Sequence, residues 1–112
     1  MNKYRKQIIN EILPFARDNK KYYLMVCDMG FGAIEKFKKE LPGQVLNVGI
    51  MEQGTVGIAA GMAMIGMIPV VYSIVNFLCF RALEQIRNNV VRQHLPVKFI
   101  ATGANNYFNF LG

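Results

Sequence analysis

Glu52 is the only acidic residue between Glu40 and Glu84. It stands in the run Asn47-Val48-Gly49-Ile50-Met51-Glu52-Gln53, and the turns after it are rich in Gly, Val, Ile and Ala. A carboxylate in the first turn of a helix is ordinarily structural, because it complements the helix dipole by about 0.3–1 kcal/mol. A carboxylate at an apolar strand-to-helix junction has a second use. Burial there disfavours its charged form, so it can hold or share a proton with a ring nitrogen at neutral pH. Phe77 and Phe80, just ahead of Arg81, supply an aromatic pair. Core packing is the ordinary role of Phe at this spacing, and stacking on a flat heterocycle is the functional one. A third candidate is the loop Asp28-Met29-Gly30-Phe31-Gly32. Gly-x-Gly after a strand suggests a dinucleotide fingerprint. Here Glu35 fills the third glycine position, and Asp28 puts a negative charge where a pyrophosphate would sit. The loop therefore reads as a tight turn that uses the backbone freedom of glycine.

Several chemistries are excluded by the supply of residues. His94 is the only histidine and Ser73 the only serine, with no Gly-x-Ser-x-Gly, which removes a serine-hydrolase triad. Cys27 and Cys79 lie in apolar runs and share no ligand spacing with a histidine, which removes a structural zinc site. They read as buried free thiols of a reducing compartment, so a cytoplasmic location is expected.

The elements that must position these residues follow from periodicity and punctuation. Ile8, Ile9, Ile12, Phe15 and Ala16 make an apolar stripe on an amphipathic N-terminal helix within residues 1–21, which Pro14 should kink or shorten. Strands are expected at Tyr22–Cys27, Gln44–Val48, Pro69–Val75 and Val97–Ala101. Helices are expected at Ala33–Lys39, Glu52–Ile65 and Leu78–Gln93, the last with Leu83, Ile86, Val90 and Val91 facing inward. Strands alternating with helices predict an α/β fold, an open and mostly parallel sheet flanked by helices. Ligands of such sheets sit at the carboxyl ends of the strands. Asp28, Glu52 and the segment Val75-Asn76-Phe77 all fall at such ends.

With 112 residues the chain allows one domain, able to bury roughly 65% of its unfolded surface. A 53% hydrophobic content excludes disorder as its main state. The net charge of +6 is unevenly placed, with nine of the thirteen basic residues in the first 40 positions. These flank the N-terminal apolar stripe and read as a solvated helix face. No nucleic-acid motif accompanies them, so no nucleic-acid partner is expected. The 28 positions from Gln53 to Phe80 carry no charge, which is long enough to cross a bilayer. Gly66 and Pro69 break that span. The residues before them favour a helix and those after them a strand, so a buried helix and strand are expected rather than a membrane partner.

These motifs carry a family resemblance. The Asn47–Gln53 run, then Gly57-Ile58-Ala59-Ala60-Gly61-Met62-Ala63, Gly66, Pro69, Asn76-Phe77, Arg81-Ala82-Leu83-Glu84-Gln85-Ile86-Arg87-Asn88 and Leu95-Pro96-Val97 appear in order. Together they resemble the pyrimidine-binding domain of transketolase-like thiamine diphosphate enzymes, over about Tyr22 to Gly112. The resemblance implies that Glu52 hydrogen-bonds the aminopyrimidine nitrogen para to the amino group. A proton there favours the imino tautomer of the ring, and the imino group then takes the proton of the thiazolium carbon. It also implies that Phe77 and Phe80 stack on the pyrimidine, that Ile74 stands where transketolase has a further aromatic, and that Asp28 lies near the cofactor at a subunit interface. The chemistry belongs to the cofactor, and the protein supplies the proton relay and the pose.

The resemblance also implies what this sequence lacks. The family binds the diphosphate and its divalent metal, expected to be magnesium, on another domain with a Gly-Asp-Gly…Asn motif absent here. A partner carrying that domain is therefore expected, a transketolase N-terminal-type subunit, alone or with a homo-oligomer of this chain. The substrate would be a sugar phosphate or related sugar. The fold is expected to be a single, C-terminally incomplete domain over residues 1–112, inactive alone. Tyr107, Phe108, Phe110 and Leu111 would then be surface left over from missing structure. The alternative is a non-catalytic dimerisation module of the same fold.

Overall fold

A computed structural model describes residues 3–104 of the chain. The tail residues Tyr107, Phe108, Phe110 and Leu111 lie outside the described residues. In chain order the elements are α1 (Lys3–Asp18), β1 (Tyr22–Val26), α2 (Glu35–Glu40), β2 (Val45–Asn47), α3 (Glu52–Met64) and β3 (Ile68–Ile74). A helical segment spanning residues 77–91 and β4 (Lys98–Thr102) complete them. The four strands form one sheet in the order β2-β1-β3-β4, and every pairing is parallel. Leu24 lies between Val45 and Val70, and Val26 between Asn47 and Tyr72.

Both faces of the sheet are covered, as parallel sheets require. Alternate residues of β1 and β3 point to opposite sides. Leu24, Val26, Val70 and Tyr72 pack against Ile9, Leu13 and Ala16 of α1 and Phe37 of α2. Met25 and Val71 pack against Val56, Ala59, Ala60 and Ala63 of α3 and Leu78, Ala82 and Val90 beyond β3. Small residues on α3 let it lie close to the sheet. The charge-free span is thus a buried helix face and a central strand. Among the described residues no helix is long and apolar enough to cross a membrane.

Three details differ from the sequence expectations. The buried stripe of α1 is Ile9, Leu13 and Ala16, while Ile8 and Phe15 are exposed. Ile8, Ile12 and Phe15 form the neighbouring stripe, which lines a groove with Tyr22, Val70 and Ile100. Pro14 neither breaks nor shortens α1, which runs on to Asp18. The segment after β3 is not one regular helix. Wide π-helical turns at Phe77–Arg81 and Ile86–Val91 flank a short α-helical turn, α4 (Leu83–Gln85). A wider turn takes more residues to come round. The inward positions are therefore spaced by four, at Leu78, Ala82, Ile86 and Val90, and Leu83 and Val91 face outward.

Candidate functional site

The chain runs from β1 to β2 on one side of the sheet and then crosses to β3 on the other. The strand order reverses between β1 and β3, which opens a crevice at their carboxyl ends. Asn47 ties the near side together. Its Oδ1 accepts from the backbone N–H of Asp28 at 3.0 Å and of Gly49 at 3.1 Å, and its Nδ2 donates to Asp28 Oδ1 at 3.3 Å. Asp28 adopts φ 49° and Gly49 φ 84°, left-handed conformations that short polar residues and glycine tolerate best. This turn delivers the chain from β2 to the start of α3 at Glu52.

Glu52 is 1% exposed. The Ser73 hydroxyl, on β3, donates to its Oε1 at 3.0 Å. Arg81 Nη1 donates to its Oε2 at 2.8 Å, closing an ion pair whose arginine side is 41% exposed and whose glutamate side is buried. The Arg81 guanidinium also lies over the Phe77 ring, 4.2 Å from its centroid. Phe77 and Arg81 are four residues apart on one helical turn, so their side chains leave from neighbouring positions on one face. A carboxylate buried beneath an apolar helix needs such partners, because an uncompensated buried charge is strongly destabilising.

Behind Glu52 the site closes with neutral groups. The Cys27 thiol donates to Thr55 Oγ1 at 3.4 Å, and the Thr55 hydroxyl donates to the Met51 carbonyl at 2.9 Å. Burial pushes the Cys27 thiol above its ordinary 9.0, the Thr55 contact lowers it, and the Glu52 charge raises it further. A thiol raised in the folded chain stays protonated when the unfolded one ionises. The unfolded state then binds fewer protons, so stability from this group holds below pH 9.0 and declines as pH rises past it. Cys79, expected to be buried, is exposed instead, because the turn Phe77–Arg81 buries only Leu78. Alkylation at pH 8 is expected to label Cys79 alone in the native protein and Cys27 only in urea, with peptide mass mapping as the check.

The expected residues are brought together unequally. Glu52 and Phe77 meet through Arg81. Ile74 ends β3, half-buried and next to Ser73. Phe80 is 79% exposed, on the same helical turn as Phe77. Asp28 is exposed, and its carboxylate is engaged by Asn47 on the β1–β2 side of the crevice. Sequence reasoning did not assign Arg81 or Ser73 to the site. The available signal was charge balance: a lone acid in an apolar setting requires a counter-charge, and Arg81 is the first cation after Lys39. Among the described residues no three metal-ligating side chains converge.

A doubly covered parallel sheet with a buried, ion-paired glutamate and an aromatic ring at its carboxyl edge defines an α/β domain of a class that meets ligands at its strand ends. Comparison with known proteins identifies which. Residues 4–107 match the transketolase pyrimidine-binding domain, and the chain belongs to that family, a component of thiamine diphosphate enzymes. It is 45% identical, over 82 residues, to a 33.6 kDa protein of the fasciation locus of Rhodococcoides fascians, covering 73% of this chain and 26% of that protein. It is 34% identical to the 1-deoxy-D-xylulose-5-phosphate synthase of Clostridium kluyveri, covering 88% of this chain and 16% of the synthase. It is 27% identical to a 6-deoxy-6-sulfo-D-fructose transketolase subunit of a Clostridium species, covering 88% of this chain and 31% of the subunit. A solved structure described as a split-gene transketolase, inactive beta4 tetramer, superposes with a TM-score of 0.79 at 31% identity. That match covers 87% of this chain and 32% of the other. The chain thus spans under a third of the length of each of these relatives.

Proposed function

We propose that this chain holds and activates the aminopyrimidine ring of thiamine diphosphate in a transketolase-like enzyme that transfers a two-carbon ketol unit between sugars. The single observation that carries the reading is Glu52, buried to 1% at a strand-to-helix junction with one oxygen directed toward the Phe77 side of the crevice. The donor set fits the ring. A carboxylate oxygen and an aromatic face already hold a flat, N–H-bearing cation here, the Arg81 guanidinium. When bound, the cofactor supplies a carbon nucleophile that protein side chains lack. Glu52 would accept from, and place a proton at, the ring nitrogen. Ser73 holds the other carboxylate oxygen and so fixes its orientation. Phe77 would stack on the ring, Phe80 would approach it from the same helical turn, and Ile74 would offer an apolar wall where a ring is absent. Asp28 would face the cofactor from across a subunit interface.

The diphosphate and its divalent metal, magnesium in this reading, would be held by a partner of the transketolase N-terminal type. The solved relative's beta4 assembly and the relative named as a transketolase subunit support a multi-chain arrangement. The substrate class is a sugar phosphate or related sugar, and the setting is the cytoplasm, where free thiols such as Cys27 and Cys79 persist. The chain, retrieved with its partner from native cytosol, is expected to carry about one thiamine diphosphate per site by mass spectrometry. A partnered chain without cofactor would overturn the reading.

One observation favours the alternative, a non-catalytic dimerisation module. The outer face of α3 is apolar: Ile58 and Met64 are exposed, and Gly57 and Gly61 have open space beside them. A self-assembled chain that binds no aminopyrimidine would select it.

A further inference from the structure

We propose that Arg81 is a built-in occupant of the ring site, a side chain that must leave both Glu52 and Phe77 before a pyrimidine can take its place. The inference rests on the ring-holding reading above and adds a competitor to it. The guanidinium is flat, delocalised and edged with N–H donors. It makes a charge-assisted hydrogen bond of 2.8 Å to Glu52 Oε2 and covers the Phe77 face at 4.2 Å. A protonated aminopyrimidine is also flat and cationic, and it also carries N–H donors at its edge. One arginine therefore makes the two contacts that the reading assigns to the ring.

Both groups cannot be seated at once. Because the guanidinium touches carboxylate and ring together, the Phe77 face it covers is the face that looks toward Glu52. A ring that stacks there and reaches Oε2 fills the same volume. Oε1 offers no second berth, since buried Ser73 occupies it at 3.0 Å. Arg81 is also the partner that can move. Its side chain is 41% exposed, whereas that of Glu52 is 1% exposed, so water rehydrates the guanidinium as it swings out. It sits at the end of the π-helical turn Phe77–Arg81, a geometry frequent at functional sites. In the ring-free chain Arg81 keeps the buried carboxylate compensated. That protection is exchanged for the ring on binding, so apparent affinity reports a competition and not the ring contacts alone.

The test titrates the 112-residue chain with a free hydroxymethyl-substituted aminopyrimidine, the ring portion of thiamine. Binding is read by calorimetry and by the Arg Nε–H resonances in nitrogen-15 spectra. Arg81→Met removes the competitor. Arg81→Gln keeps a shorter neutral donor for Glu52 and carries the test if the methionine variant does not fold. Both are expected to bind the ring about tenfold more tightly than wild type, the loss of one charge-assisted hydrogen bond and one cation–π contact from the competing state. In wild type the Arg81 Nε–H signal is expected to move from its ring-shifted position to that of a solvated arginine as the ring saturates. Equal or weaker binding by the Arg81 variants, or an unmoved Nε–H signal at saturation, with binding lost in Glu52→Gln, overturns the occupant role and leaves the ring-holding reading standing. No binding by wild type or any variant overturns both. If neither Arg81 variant folds, the wild-type Nε–H signal decides alone.

Discussion

Glu52→Gln is expected to leave the fold and any assembly in place while lowering ketol transfer in the cofactor-loaded complex by on the order of a hundredfold or more. The amide keeps the shape of the carboxylate and can still accept from the Ser73 hydroxyl through its carbonyl oxygen. What it loses is the ability to carry a proton to or from a ring nitrogen. The ion pair to Arg81 is lost too, but the asymmetry of burial limits the damage. The group left behind is Arg81, 41% exposed and free to hydrate, and not a buried carboxylate. Circular dichroism and a urea midpoint near wild type, together with collapsed turnover at saturating cofactor, are the expected pair of results. Wild-type turnover from the variant would sink the proton-relay role, and loss of folding would show that the ion pair is structural first.

The same asymmetry explains what the sequence disclosed and what it withheld. Glu52 was legible as a candidate because it is the lone acid of a long apolar stretch and its neighbours follow a family pattern, although a carboxylate in the first turn of a helix is ordinarily structural. Phe77 was legible as the first aromatic beyond a strand end. The Glu52–Arg81 pair spans 29 residues, and no local period encodes it. It exists only because β3 brings the Phe77–Arg81 turn over the head of α3. The Ser73 contact, spanning 21 residues, arises the same way. The α/β alternation and the parallel sheet were readable from strand and helix periods. The inward face of residues 77–91 was half readable: Ile86 and Val90 pack inward as expected, but Leu83 and Val91 do not, because the expected spacing assumed 3.6 residues per turn and the π-helical turns are wider. Leu83 was expected inside on that spacing, and Ala82 occupies the place. Asp28 was readable as a turn residue, and its φ of 49° accords with that.

The largest loss of stability is expected from Phe37→Ala. Helix α2 has six residues, too few to persist by its own hydrogen bonds, and Phe37 is its one buried residue. The ring is 1% exposed and belongs to the core cluster of Ile9, Leu13, Leu24, Val26, Val70 and Tyr72. Truncating it leaves a cavity between α1, α2 and the sheet, a change that costs about 3–5 kcal/mol. That is a large share of the roughly 5–15 kcal/mol that holds a domain folded. A urea titration should show the midpoint falling steeply, with Phe37→Leu recovering most of it because the volume is nearly kept. The effect should reach the site as well. Through the turn Pro42–Gln44, α2 leads directly into β2, which carries Asn47. Asn47 sets the turn that presents Glu52 to the crevice. Amide hydrogen exchange is therefore expected to quicken at Asp28 and Gly49 in the Ala variant before it quickens in β3, which is anchored by both cores. Uniform acceleration across β1, β2 and β3 would mean instead that α2 and the site open only with the whole domain.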